Sequence, residues 1–494
     1  MRHTGPGEWS GGGRKARADN FVKHQLWYCL STGDSVTNLL DLAAFGGVLA
    51  VVLGGAFHRS RGDDAFLVAN RQLTLFPLVA TLVMTEFNTS TLLAFSAAGY
   101  AAGPMALALP LVFLVGLAFY TATVARQWKR FDRLSVAELF SSRYSAALGR
   151  FASVLLLLAM LGFGATYVKS LGLLFSPFVP GWPMWLTTGL LTLVVLAVAL
   201  PGGLVSVVRS DVSAFVLTLV LVPVLLAIGL WHGAAAGGLA SVFDASQLTV
   251  NPIAQWTHPA LPFRFVTTLI ALTCFTYIAA PWYGQKIFAA RDERTAFRAV
   301  AWAAVLVFVL YGGLALAAAY LRVSGVALDD PQRAVPMMVT TWLPSGARGA
   351  GFALLFAAAL TTLAGVWTAM GAMVAADFGW AGARRVRRQR QVVTAFAVLH
   401  WIGGATLVDN ILDRLILANI PVVALSFALL AGFHWPRATT AGAWASVIVG
   451  CVWGIGCFAV VGEAGGYTWP WAMYGIPLIF ATGVFTSLMT RRAP

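Results

Sequence analysis

The chain has 494 residues, of which 59% are hydrophobic and 11% are charged, and its formal net charge is +14. Soluble proteins carry about 25% charged residues, so this composition excludes an ordinary soluble domain and indicates that lipid is the main solvent. The basic residues lie in short segments between apolar runs, which is typical of membrane anchoring and argues against a nucleic-acid partner.

In chain order, a polar, glycine-rich tail at residues 1–37 comes first, and we expect it to be disordered. Residues 38–494 are predicted to form a single all-α transmembrane domain, because runs of about 20 apolar residues predict membrane-spanning helices. The thirteen predicted spans are residues 38–57, 72–97, 103–125, 151–176, 183–201, 211–232, 264–284, 299–321, 349–377, 391–408, 412–433, 438–461 and 471–490.

Lysine and arginine predict the orientation of these spans. With the N-terminus outside and the C-terminus cytoplasmic, 22 basic residues fall on the inner side and 10 on the outer side. The positive-inside rule therefore favours this orientation in the plasma (inner) membrane. Only a few residues follow the last span, so we expect no signalling domain there.

The second span carries an unusually polar segment. Residues 85–91 include Glu86, Asn88 and four hydroxyl side chains at the depth of the membrane centre. Scattered hydroxyls often only bond to helix carbonyls or join neighbouring helices. A carboxylate within such a dense group instead indicates a functional site.

The seventh span is interrupted by Pro281 and Gly284. Interrupted spans at matching places in two halves are typical of inverted-repeat transporters. Spans 2–6 and 7–11 then give repeat 1 at about residues 72–232 and repeat 2 at about residues 264–433. From these residues alone, an ordinary proline kink is the alternative.

The ninth span contains two adjacent hydroxyls, Thr361 and Thr362, after Ala358. Hydroxyl oxygens can bind a hard cation, and carbonyls freed by an unwound neighbouring helix can complete the ligand set. The spacing alone also fits helix packing through small residues, which is the simpler interpretation.

Six segments together resemble the solute:sodium symporter family. In chain order they are DDAFLVANRQLT, TEFNTSTLLAF, RFDRLSVAELFSSRY, PGGLVSVVRSDVSAF, QKIFAARDERTA and AAALTTLAGVWTAM. The resemblance extends from about residue 38 to 490. It implies a LeuT-type core of two inverted five-helix repeats and sodium-coupled uptake of a small solute by alternating access. It implies no cofactor besides sodium as the coupling ion, and it requires no oligomer.

The resemblance also implies roles for individual residues. The sodium ligands would be the carbonyls of Met84, Phe87 and Ala358 and the hydroxyls of Thr361 and Thr362. Glu86 and Asp211 would lie on the ion path. Asn88, Thr89, Tyr277 and Pro281 would bind substrate, with Trp282 as a further apolar wall. Thr273 stands where proline-type members carry a tryptophan, a departure that argues against proline as the substrate.

Lys169 lies within the fourth span, about seven residues from its outer end. Its ammonium could snorkel to the interface, pair with Glu86 or bind a substrate carboxylate. The last possibility favours a small carboxylate-bearing or amino-acid-like solute over a neutral sugar.

Two other functions remain as alternatives. A transporter of the same fold could couple to protons through Glu86 or Lys169, or the chain could be a membrane sensor with a transporter-like body. An enzyme is not expected, because the sequence contains no GxSxG, HExxH or P-loop motif.

Overall fold

Helices account for nearly all of the computed structural model, which describes residues 38–54, 68–179, 181–235, 237, 261–378 and 385–490. Among these residues the only extended pairing is an isolated bridge between Leu73 and Ala290. The predicted all-α architecture is therefore confirmed. The predicted tail at residues 1–37 lies outside the described residues.

The helices occupy the predicted spans. Up to residue 235 they are α1 (Leu39–Gly54), α2 (Leu75–Glu86), α3 (Thr89–Ala102), α4 (Ala108–Thr123), α5 (Ala125–Phe131), α6 (Glu138–Arg143), α7 (Ala146–Phe175) and α8 (Met184–Ala235). After residue 261 they are α9 (Phe263–Tyr277), α10 (Pro281–Phe288), α11 (Glu293–Val323), α12 (Ala334–Trp342), α13 (Ala347–Asp377), α14 (Arg385–Thr406), α15 (Ile411–Leu417), α16 (Ile420–Ala424), α17 (Ser426–His434), α18 (Thr440–Val461) and α19 (Thr468–Thr490).

Length and hydropathy alone identify fewer spans than thirteen. In the described part of the chain seven helices are long and apolar enough to cross a membrane, or up to nine if each bent pair is one span. The lower number arises because α1, α2 and the first part of α8 (Met184–Ala197) are too short and because arginines reduce the hydropathy of α14. Each of the thirteen predicted spans nevertheless coincides with helical structure, which is consistent with the predicted number.

Helix α8 contains two predicted spans. It has 52 residues and is kinked at Gly203, where φ is 59° and ψ is −158°. A straight helix of that length would be about 78 Å long, more than twice the roughly 30 Å hydrocarbon layer. This conformation is open essentially only to glycine, so Gly203 divides α8 into two parts that correspond to the two predicted spans.

Helix α13 lies at the centre of the bundle. It is buried along nearly its whole length and packs against α1, α7 and α8. Helix α11 packs in the same way against α2, α3, α4 and α8. By contrast, α18 and α19 pack mainly on each other and expose most of their surface, as expected for helices that face lipid.

Candidate functional site

The second span is broken at the polar segment that the sequence singled out. Helix α2 ends at Glu86, Phe87 leaves the helical region with ψ of 63°, and Asn88 begins α3 in an extended conformation. The Asn88 side chain caps α3 by accepting a hydrogen bond from the Thr91 N–H at 2.9 Å. The last carbonyls of α2 have no partner within the helix, and the Glu86 carbonyl accepts hydrogen bonds from the Asn88 N–H and the Tyr311 hydroxyl.

The seventh span is broken in the same manner. Helices α9 and α10 are bent by 46° at residues 278–280, and Pro281 is the first residue of α10. The carbonyl of Ile278 within the break accepts a hydrogen bond from the Trp128 indole at 2.9 Å. Pro281 is therefore well placed at the break. The first residue of a helix donates no backbone hydrogen bond within that helix, so a proline there costs none.

The two breaks meet at a buried central cavity of about 100 Å³. Its lining includes Glu86, Asn88, Phe163, Tyr167, Tyr277 and Trp282. Glu86 is only 2% exposed, and its Oε2 accepts a hydrogen bond from the Tyr277 hydroxyl. Its Oε1 has no hydrogen-bond partner among the described residues. The cavity therefore presents one free carboxylate oxygen surrounded by aromatic rings.

Three predicted substrate residues do not line this cavity. The Thr89 hydroxyl is 2.6 Å from the Ser170 hydroxyl and joins α3 to α7, and Pro281 is likewise not part of the lining. Lys169 follows the lining residue Tyr167 by two positions, about 200° around the helix, so it points away from the cavity. In the described part of the chain Lys169 has no ion-pair partner, so the proposed Lys169–Glu86 pair is not present.

The predicted sodium ligands lie mostly together. The Thr362 hydroxyl donates hydrogen bonds to the Ala358 carbonyl at 2.8 Å and to the Met84 carbonyl at 3.0 Å. The Thr361 hydroxyl donates to the Ala358 carbonyl at 3.3 Å. The bond to Met84 joins α13 to the broken end of α2. Phe87, the fifth predicted ligand, lies in the break itself.

Lys286 is the main correction to the sequence analysis, which placed it in a cytoplasmic loop. It lies in α10, is 2% exposed, and its Nζ is 3.1 Å from Oδ2 of Asp211. The ammonium also donates to the Thr81 carbonyl at 2.8 Å and to the Thr85 hydroxyl. Lys286 therefore lies within a span, as Lys169 does. Asp211, which was predicted to lie on the ion path, is paired with the ammonium of Lys286.

The two ends of the bundle differ. At the predicted outer end a vestibule of about 620 Å³ is lined by residues including Arg264, Asp330, Asn410, Asp413 and Glu463. Leu412 lines both the vestibule and the central cavity, so the two spaces are neighbours.

Ion pairs cross the opposite, predicted cytoplasmic end. Asp132 lies 3.3 Å from Arg71 and 3.2 Å from Lys129, and Arg130 lies 2.8 Å from Glu293. Lys129 also donates to the Phe288 carbonyl at the end of α10. These contacts hold α5 against both broken spans at this end.

Several residues of the site were not predicted from the sequence. Phe163 and Tyr167 on α7 gave no signal, because aromatic residues are common in any apolar span. Asn419 also lines the cavity, and its position before Pro421 is the same kind of interruption that identified Pro281. Lys286 would have been found by extending the seventh span through the apolar residues that follow it.

Comparisons with known proteins agree with this architecture. The chain is 26% identical over 443 residues to the sodium/pantothenate symporter of Escherichia coli (strain K12), covering 84% of this chain and 89% of that protein. A solved Na⁺-coupled sialic acid symporter, in a substrate-bound outward-open state, superimposes with a TM-score of 0.73 at 17% identity and covers 92% of this chain and 99% of that chain.

A more distant structure has the same fold. MhsT in complex with L-phenylalanine gives a TM-score of 0.51 at 14% identity and covers 84% of this chain and 99% of that chain. The fold is therefore the predicted LeuT-type core. A family model described as the sodium:solute symporter family matches residues 66–450. The chain belongs to the sodium:solute symporter family, whose members are transporters and not enzymes.

Proposed function

We propose that this protein imports a small organic solute across the plasma (inner) membrane together with sodium, by alternating access. In this proposal the N-terminus is outside, the C-terminus is cytoplasmic, and repeats 1 and 2 comprise about residues 72–232 and 264–433. The vestibule that adjoins the central cavity at the predicted outer end supports an outward-facing conformation.

The observation that carries sodium coupling is the hydrogen bond between the Thr362 hydroxyl and the Met84 carbonyl. These two oxygens lie 3.0 Å apart. Sodium is a hard cation, and hard cations such as calcium bind oxygen at roughly 2.3–2.6 Å, so a single ion can contact both. We assign the remaining ligand positions to the Phe87 and Ala358 carbonyls and the Thr361 hydroxyl.

Such a site would couple the ion to substrate binding, since Met84 and Phe87 flank Glu86 at the break that also borders the central cavity. An ion between α2 and α13 would hold the broken end of α2 in place. Asn88 and Glu86 would then be fixed in the positions that contact the solute.

For the solute we propose a small amino-acid-like molecule. The free Oε1 of Glu86 can accept a hydrogen bond from an ammonium group, and the rings of Tyr277 and Trp282 can stabilise the same charge. A carboxylate at the other end of the solute would be stabilised by the N-terminus of α3 after Asn88. The small cavity excludes bulky solutes, and two relatives are named for carboxylic acids, pantothenate and sialic acid.

The first prediction tests the ion. Replacing both Thr361 and Thr362 by alanine removes two of the five proposed oxygen ligands. In proteoliposomes we expect the sodium concentration for half-maximal uptake to rise by at least about tenfold, equivalent to 1.4 kcal/mol. Thr368→Ala is the matched control, because among the described residues this buried hydroxyl on the same helix bonds only to the Ala364 carbonyl. Unchanged sodium dependence in the double variant would place the ion elsewhere.

The second prediction tests the solute. Glu86→Gln keeps the shape of the side chain and removes its charge. We expect it to raise the half-saturating concentration of an amino acid substrate on the order of tenfold or more, the scale of a lost charged hydrogen bond. An analogue without the amino group should be much less affected. An equal effect on both compounds would show that Glu86 does not contact the ammonium.

A further inference from the structure

The ammonium of Lys286 occupies a cage of oxygen atoms. It contacts the Thr81 carbonyl at 2.8 Å, the Thr85 hydroxyl and Oδ2 of Asp211 at 3.1 Å. These oxygens come from α2 and α8, whereas the lysine comes from α10. Lys286 and Asp211 are 2% and 1% exposed, so the cage is closed to solvent.

The same oxygens are suited to a metal cation. A carboxylate, a hydroxyl and a backbone carbonyl are the donor types that hard cations take in proteins. Oδ1 of Asp211 has no hydrogen-bond partner among the described residues, although it is buried. The cage therefore contains a second carboxylate oxygen, Oδ1 of Asp211, to which the ammonium makes no hydrogen bond.

The cage adjoins the proposed sodium ligands. Thr81 and Thr85 lie within one turn of Met84 on α2, and the Thr361 hydroxyl lies beside Asp211 while also bonding to the Ala358 carbonyl. The two positions thus share helices α2 and α13. A sodium ion in the cage and another at the proposed sodium site would repel each other, unless the negative charge of Asp211 balanced the charge of the ion in the cage.

We propose that the cage is a second cation position, which Lys286 fills as a covalently attached ammonium. The chain consequently binds one sodium ion where its oxygen donors alone would support two. This inference rests on the proposed function, because it takes sodium as the coupling ion. It makes Lys286 a determinant of how many sodium ions accompany each solute.

Removing the ammonium should open the second position. In Lys286→Ala the buried carboxylate of Asp211 loses its counter-charge and gains space, so a sodium ion can replace the ammonium. Lys286→Gln should behave similarly and preserves most of the side-chain volume. In the double variant Lys286→Ala, Asp211→Asn the carboxylate is also gone, so the second ion has no counter-charge and should not bind.

The test is equilibrium binding of radioactive sodium to the purified full-length protein, which requires no knowledge of the solute. We expect one sodium ion per chain in the wild type, two in Lys286→Ala and Lys286→Gln, and one in the double variant. Sodium should also raise the unfolding temperature of Lys286→Ala more than that of the wild type. Lys286→Arg keeps the positive charge and should bind one ion.

The possible failures are distinguishable. Two sodium ions in the wild type would overturn this inference even if no variant folds. One ion in the wild type and one in both Lys286→Ala and Lys286→Gln would overturn it while leaving the proposed function intact. No sodium binding by the wild type would overturn the proposed function and this inference together.

Discussion

Three buried ionisable side chains near the centre of the bundle are stabilised by different kinds of partner. Lys286 and Asp211 compensate each other directly at 3.1 Å. Glu86 has no ion-pair partner within 4.0 Å among the described residues and relies on the Tyr277 hydroxyl. A buried charge without such partners is strongly unfavourable, so each of these contacts constrains the helices that supply it.

The third prediction compares two buried tyrosines, Tyr277 and Tyr283. Tyr277→Phe removes the hydrogen bond from the Tyr277 hydroxyl to Oε2 of Glu86, and leaving a buried acceptor without a donor costs about 1–3 kcal/mol. We expect a lower unfolding temperature in detergent, measured by thermal denaturation. Tyr283→Phe is the matched control, because the buried Tyr283 hydroxyl has no partner among the described residues. A similar loss in both variants would mean that the Tyr277 hydroxyl does not stabilise Glu86.

At the level of secondary structure, the two broken spans are connected at their predicted cytoplasmic ends as well as at the cavity. The Leu73 N–H donates to the Ala289 carbonyl at 2.9 Å, and the Arg291 N–H donates to the Leu73 carbonyl at 3.0 Å. These bonds join the start of α2 to the end of α10. The halves of the two broken spans at this end are therefore linked by hydrogen bonds, as expected if they move together as one body during alternating access.

The close contact between α3 and α11 is the basis of the fourth prediction. A Cβ added at Gly99 would overlap the backbone carbonyl of Ala315, whereas one added at Gly456 on α18 would meet nothing within 4 Å. We expect Gly99→Ala to destabilise the protein by about 1–3 kcal/mol through overpacking. Gly456→Ala should be neutral or stabilising by about 0.5–1 kcal/mol. Thermal denaturation of both variants checks this, and equal stability would show that α3 can move away from α11 at little cost.

For the whole molecule, the burial of Lys286 lowers by one the number of basic residues counted on the predicted inner side. Removing this residue from the inner side leaves 21 basic residues there against 10 outside, so the bias persists. The ion pairs of Arg71, Lys129 and Arg130 lie at the end predicted to face the cytoplasm.

The fifth prediction tests this orientation by cysteine labelling in intact cells. In a background without the four native cysteines, a cysteine at Ser246 should react with a membrane-impermeant thiol reagent, and a cysteine at Arg387 should not. The predicted outer loop at residues 233–263 lies mostly outside the described residues, whereas Arg387 is an exposed residue of α14. Permeabilised cells provide the control, since both positions should then react. Labelling of position 387 in intact cells would reverse the orientation.

The sequence by itself determined the membrane class and the helical segments, and it marked the two spans in which the structure shows breaks. These features follow from local properties, namely the length of apolar runs and the placement of proline, glycine and polar residues within them. The proximity of the Met84 carbonyl to the Thr362 hydroxyl of α13 was implied only by family resemblance. The lining role of Glu86 agreed with the general rule that acids within a membrane mark functional sites.

Only the tertiary structure decided which buried charges meet. Lys169 and Lys286 look alike in sequence, each a lysine close to an apolar run, yet one points away from the cavity and the other lies against Asp211. Asp211 is 75 residues from Lys286 along the chain, and no local pattern encodes their contact. Burial of a charge depends on what neighbouring helices place around it, so its role becomes visible only when the helices are packed.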